Sequence, residues 1–121
     1  MKVINSDKAP AAIGPYSQAI EHNGLIFVSG QLPIKDGQLK TDIEEAAHAC
    51  LQNIEYILKE AGSSMQNVLK VEIFIKNMSD FAKVNEIYSH YFTAPYPARA
   101  CVEVSALPKN APIEIQCIAY K

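Results

Sequence analysis

The sequence predicts an α+β fold, a mixed sheet with two helices packed on one of its faces. Three observations carry that expectation. Two stretches repeat apolar residues at the helical period, and several others alternate at the strand period. The order runs strands, helix, strand, helix, strands. A helix set between single strands must bury its apolar stripe against the sheet they form.

The first helix follows Thr41. Thr41 and Glu44 fit a T-x-x-E capping box. Ile43, Ala46, Ala47, Cys50, Leu51, Ile54, Ile57, Leu58 and Ala61 then form one stripe, and Gly62 is the expected stop. Cys50 lies on the stripe and reads as a core thiol. A second helix begins after a cap at Asn77 or Ser79. Phe81, Val84, Ile87, Tyr88 and Tyr91 form its apolar face, with Asn85 beside them, and Pro95 and Pro97 end the region.

Among the strands, LIFVSG (25–30) is almost continuously apolar and reads as central. SQAIE (17–21) pairs with it through a turn at Asn23-Gly24. Residues 2–4 add an edge strand. In VLKVEIFIK (68–76), Val71, Ile73 and Ile75 point one way, and Lys70, Glu72, Phe74 and Lys76 the other. ARACVEV and IEIQCIAY (113–120) complete the sheet, while KDGQ (35–38) and LPKNAP (107–112) read as turns. The sets Ala98, Ala100, Val102, Val104 and Ile113, Ile115, Cys117, Ala119 are expected beneath the helices. Arg99, Cys101 and Glu103 are then expected on the other face, with Phe74, Glu114, Gln116, Ile118 and Tyr120. That mixture of apolar and charged residues suits a subunit interface better than open surface, so a homo-oligomer is expected.

The chain has 121 residues, 49% hydrophobic and 20% charged, which fits a single domain over residues 1–121. No run is long and apolar enough to span a bilayer, and no signal-peptide h-region is found at the N-terminus. A soluble, cytoplasmic protein is expected. Net charge is −2 with scattered lysines, which gives no support to a nucleic-acid partner. Cys50, Cys101 and Cys117 lack C-x-x-C spacing, and His22, His48 and His90 fall in different elements. Neither a disulfide framework nor a metal site is expected.

Arg99 is the only arginine; the other basic residues are lysines. It has two readings from pattern. One is an ion pair with Glu103 or Glu114. The other is a receptor for a substrate anion, because a planar guanidinium matches a carboxylate in a way lysine does not. Two alternatives likewise stand open for Glu114 (ion-pair partner or acid–base group), Tyr16 (core cover or pocket wall), Asn85 (helix surface or pocket wall) and Ser29-Gly30 (strand end or pocket wall).

The motifs APAAIGPYSQAI (9–20), VSGQLP (28–33), FAKVNEIY (81–88), PARACVEV (97–104) and LPKNAPIEIQCIAY (107–120) together resemble the RidA (YjgF) family of small deaminases across nearly the whole chain. Arg99 and Glu114 match its imine-hydrolysing subgroup. The resemblance implies a chorismate-mutase-like fold and a homotrimer with clefts between subunits. It also implies cofactor-free hydrolysis of 2-imino acids, such as 2-iminobutanoate and 2-iminopropanoate, to 2-oxo acids and ammonia. Pyridoxal-phosphate dehydratases release such imines. By the same resemblance, Arg99 binds the substrate carboxylate and Glu114 activates water and returns a proton to the leaving ammonia. Cys101 lines the pocket through its backbone more than its thiol, and Tyr16, Ser29, Gly30 and Asn85 shape it. Competing functions are a non-catalytic ligand-binding, regulatory or chaperone-like trimer and, third, a ribonuclease. In a simple hairpin of 98–104 with 113–120, Glu114 would lie nearer Val102–Glu103 than Arg99. An intervening strand, a wide pocket or a subunit boundary would each resolve that tension.

Overall fold

The computed structural model describes residues 1–121. Its main sheet has six strands: β1 (Lys2–Ile4), β2 (Ala19–His22), β3 (Leu25–Gln31), β6 (Val68–Ile75), β7 (Ala98–Glu103) and β8 (Ile113–Tyr120). They lie in the order β1-β2-β3-β8-β6-β7. Only β6 and β7 run parallel, so the sheet is mixed. A small hairpin, β4 (Ile34–Lys35) and β5 (Gln38–Leu39), stands apart from it. The helices are α1 (Ile43–Glu60) and α2 (Phe81–Tyr88).

The turns follow local chemistry. Asn23 and Gly24 both take positive φ, as the expected tight hairpin needs, and Asp36 and Gly37 do the same between β4 and β5. The start of α1 differs from expectation by one residue. Asp42, not Thr41, is the N-cap, and its carboxylate accepts from the Glu45 N–H at 3.1 Å. Both T-x-x-E and D-x-x-E fit the sequence, and the charged cap also interacts favourably with the helix dipole. α2 is capped by neither Asn77 nor Ser79 through its side chain. A short 3₁₀ turn, Met78–Asp80, leads into it, and Glu103 accepts from the Met78 N–H at 2.7 Å.

One face of the sheet carries the core. Ile26, Val28, Val71, Ile73, Ile75, Ile113, Ile115, Cys117 and Ala119 are buried with the α1 stripe and with Val84, Ile87 and Tyr88 of α2. Each fully buried aliphatic side chain contributes about 1.5–3 kcal/mol, so this layer dominates stability. The other face is uncovered and partly apolar: Phe27 is 45% exposed, Tyr120 43% and Val102 46%.

The faces of β7 correct the expectation. The parallel register sets Val71 beside Arg99, Ile73 beside Cys101 and Ile75 beside Glu103. Residues paired this way share a face, so Arg99, Cys101 and Glu103 project on the helix side, and Ala98, Ala100 and Val102 on the open side. The open face therefore holds Glu114, Phe74, Ile118 and Tyr120 but neither Arg99 nor Cys101. Alanines alternating at an edge strand carry little hydrophobic signal. On the helix side the arginine's guanidinium faces the rings of Phe81 and Tyr88.

Candidate active site

Six of the seven site residues named by the sequence fall into two groups; Ser29 lines a separate hollow with Phe27, Gln116 and Ile118. Tyr16, Gly30 and Glu114 line a cavity of 730 Å³, with Pro10, Ile13 and Lys109 among its other walls. Arg99 and Cys101 lie on the edge strand β7, with Asn85 of α2 within hydrogen-bond distance of Arg99. β6 stands between β8 and β7, and Glu114 and Arg99 occupy opposite faces of the sheet. Within one chain they do not meet: β6 separates the two strands, and across it Glu114 stands level with Phe74 and Val102, not with Arg99.

Glu114 is placed by a bulge. Val28 pairs with Cys117 and Gln31 with Ile115, so Ser29 and Gly30 together oppose one residue of β8. Bulges of this kind re-aim side chains. The Ser29 side chain turns away from Glu114, and its hydroxyl donates to the Ser17 carbonyl at 2.6 Å, pinning the chain that leads into β2. Gly30 lies directly under the Glu114 carboxylate. A Cβ built on Gly30 would stand 2.8 Å from the carboxyl carbon, and nearer still to one oxygen. Gly30 is a glycine for close approach, since its φ is not in the left-handed region. Half-burial raises the Glu114 pKa above its usual value of 4.5.

The cavity wall opposite the sheet comes from the segment before β2. Buried Gln18 holds that segment: its Oε1 accepts from the Ser6 N–H at 2.7 Å, and its Nε2 donates to the Pro10 carbonyl at 2.8 Å. Gly14, at φ +128°, then turns the chain so that Tyr16 reaches the cavity. Lys109 borders the cavity from a turn in which it and Asn110 both adopt left-handed backbone, at φ 57° and 56°. The Lys76 ammonium holds Asn110 through its side-chain oxygen. Two left-handed non-glycine residues in succession mark this turn as over-determined by its surroundings. Sequence reading missed Gln18 and Lys109 as site-building residues. The only sequence signal was Lys-Asn after a proline, which reads as an ordinary turn.

Arg99 is exposed yet held. Its Nη1 donates to the Asn85 Oδ1 at 2.7 Å, and its guanidinium carbon lies 4.8 Å from the Tyr88 ring centroid and 5.6 Å from that of Phe81. No carboxylate lies within ion-pair distance of it; the single ion pair of the chain joins Lys121 and Glu21 at 3.7 Å. The ion pair with Glu103 or Glu114 is therefore not what the fold builds inside one chain. Burial raises the Cys101 thiol, with Arg99 pulling it back. Burial pushes Tyr88 up to about 12, against the opposing pull of Arg99. No group of three His, Cys, Asp or Glu side chains is placed to hold a metal ion. No helix is long and apolar enough to cross a membrane.

Residues 6–121 match the family model described as endoribonuclease L-PSP. A RutC family protein of Pyrococcus abyssi is 51% identical over 123 residues, spanning 99% of this chain and 97% of that protein. The chain belongs to the endoribonuclease L-PSP family, also called YjgF/RidA. Within this family, an Escherichia coli protein named as a candidate reactive intermediate deaminase, TdcF, is 38% identical over 125 residues. The crystal structure of E. coli TdcF with bound serine superposes with a TM-score of 0.96, covering 100% of this chain and 99% of that one. RidA from an Antarctic Psychrobacter superposes with a TM-score of 0.97 at 39% identity, both chains covered in full. The YjgF/RidA fold is thus that of the present chain, with its mixed sheet and two helices on one face, and its relatives support a deaminase type of role.

Gly30→Ala is the direct test of the Glu114 placement. Alanine is conformationally acceptable there, so the protein is expected to fold with a near-native melting temperature. Its methyl group displaces the carboxylate by about 1 Å or more, and a shift of that size costs on the order of 10²-fold in activity. A Gly30→Ala variant with wild-type turnover would show that the close approach has no functional role.

Proposed function

We propose that the protein hydrolyses reactive 2-imino acids, such as 2-iminobutanoate and 2-iminopropanoate, to 2-oxo acids and ammonia. It does so as a homotrimer whose sites lie between subunits and need no cofactor. The observation that carries this reading is the state of Arg99: a lone guanidinium, fixed by Asn85 and two aromatic rings, with no carboxylate partner in its own chain. Such a group is a preformed receptor for a planar anion.

The chemistry asks little more of the protein. A protonated imine is already an electrophile. Arg99 holds the substrate carboxylate and so fixes the imine carbon. Glu114, ionised, takes a proton from water as the water oxygen bonds to that carbon, giving a carbinolamine. The same carboxyl then passes the proton to the amino group. The C–N bond breaks with its electron pair leaving on nitrogen as ammonia, the carbinolamine hydroxyl proton passes by way of Glu114 to that ammonia, and ammonium and the 2-oxo acid leave. Tyr16 and Gly30 shape the cleft, Ser29 braces the chain beside it through the Ser17 carbonyl, and Cys101 serves through its backbone. Since Arg99 and Glu114 stand on opposite faces of one sheet, the reading requires Arg99 of one subunit to meet Glu114 of another. The exposed Phe27, Val102 and Tyr120 supply an apolar face for that assembly.

A ligand-binding or regulatory trimer is the second reading, favoured by the bound serine in the TdcF structure. A receptor for a carboxylate needs Arg99 but has no use for a desolvated Glu114. The ribonuclease named in the family description finds no basic stripe here to support it.

A coupled assay separates these readings. A threonine dehydratase generates 2-iminobutanoate, semicarbazide traps it, and oxo-acid formation is followed with and without the protein. Acceleration is expected. A folded trimer that gives none would remove the hydrolase reading and leave the binding one.

A further inference from the structure

We propose that Phe81 and Tyr88 are positioning residues for Arg99, their ring faces fixing the plane of the guanidinium so that its free N–H edge is presented to a carboxylate. The inference deepens the proposed function and rests on its assignment of Arg99 to a carboxylate.

Phe81, Asn85 and Tyr88 are spaced by four and by three residues on α2 and so share one stripe. All three meet Arg99: Asn85 by the 2.7 Å hydrogen bond, Tyr88 and Phe81 with their rings 4.8 Å and 5.6 Å from the guanidinium carbon. A guanidinium within about 6 Å of a ring face is attracted by the ring quadrupole. The hydrogen bond occupies Nη1 and sets one direction in the plane. The ring faces restrict tilt about that direction. Of the five N–H donors of arginine, Asn85 takes one and the rest are left for a ligand.

The Tyr88 ring is itself fixed. It is buried and packs on the Phe92 ring at 4.5 Å between centroids. Its hydroxyl is buried and has no hydrogen-bond partner. A tyrosine kept for its hydroxyl would have that group satisfied. The ring face toward Arg99, not the hydroxyl, is the part in use. Phe81 differs from Tyr88 in being only half-buried, at the start of α2, so changes there disturb the core less.

The test compares ring-removing with ring-keeping variants: Phe81→Leu and Tyr88→Leu against Phe81→Tyr and Tyr88→Phe. KM and kcat for 2-iminobutanoate are measured in the coupled assay, and Kd for 2-oxobutanoate by calorimetry. A contact to the substrate carboxylate acts in ground and transition states alike, so losing its alignment raises KM with kcat little changed. The leucine variants are expected to raise KM and Kd by about 2- to 30-fold, the range that cation–π energies convert to. The ring-keeping variants are expected to stay near wild type, and Tyr88→Phe to melt higher because it removes an orphaned buried hydroxyl. A purely structural role would lower melting temperature and active fraction and leave KM and Kd alone; that result overturns the proposal. So does equal loss in Tyr88→Phe and Tyr88→Leu, which would assign the effect to the hydroxyl. If Tyr88→Leu does not fold, Phe81→Leu decides. If wild type hydrolyses no imine, the hydrolase reading fails, and the 2-oxobutanoate Kd values still test the clamp.

Discussion

Arg99→Ala is expected to reduce kcat/KM for 2-iminobutanoate by about 10²–10⁴-fold, the equivalent of losing two charge-assisted hydrogen bonds at about 1.5–3 kcal/mol each. Folding is expected to survive, because Arg99 is exposed and makes no ion pair in its own chain. Arg99→Lys restores the charge without the planar fork and is expected to recover only part of the loss. The control is circular dichroism and mass by light scattering on the same preparations. Wild-type kcat/KM in a folded Arg99→Ala variant would leave the guanidinium with no substrate role, and its rings and hydrogen bond would be a surface brace for α2.

Glu114→Gln is expected to lower kcat by about 10²–10⁴-fold, the usual contribution of a general base. It is also expected to change stability in the opposite direction. Burial raises the Glu114 pKa above 4.5 in the folded state. A carboxyl with a raised folded value binds its proton more tightly when folded. Stability from this group is therefore complete below the unfolded value and is lost as pH rises through the folded value. Glutamine carries no charge to desolvate. Glu114→Gln should melt higher than wild type at neutral pH and lose that advantage below about pH 4.5. Activity of the wild type should rise with pH through the same raised pKa, since the base must be ionised. A variant both inactive and less stable at neutral pH would show instead that the carboxylate is held by favourable contacts.

Much of this arrangement was legible in the residues. The Asn-Gly hairpin, the alternation in β6 and β8 and the stripe of α1 are local signals, and each is found where its period places it. The family motifs named Tyr16, Gly30, Asn85, Arg99 and Glu114 together. What stayed hidden was which of these meet in one chain. β7 reads Ala-Arg-Ala-Cys-Val-Glu, and its small residues do not say which side is covered. The face was decided by α2, whose Phe81, Asn85 and Tyr88 draw the guanidinium toward the helix side. The Gly30–Glu114 contact depends on a bulge between non-adjacent segments, and no local pattern announces it. The cap of α1 was ambiguous for a simpler reason: Thr41 and Asp42 both fit, and only the backbone chooses.

The central claim is that Arg99 and Glu114 act together across a subunit boundary, and complementation tests it most directly. Arg99→Ala and Glu114→Gln chains are co-expressed so that they mix within the proposed trimers, and imine hydrolysis is compared with that of each variant alone. A shared site takes its arginine from one chain and its glutamate from a neighbour, so random mixing restores roughly one quarter of the sites. Recovery of activity to about that fraction of wild type is the predicted result. Mixed trimers no more active than either parent would contradict the account, because they would place both residues of each working site in a single chain.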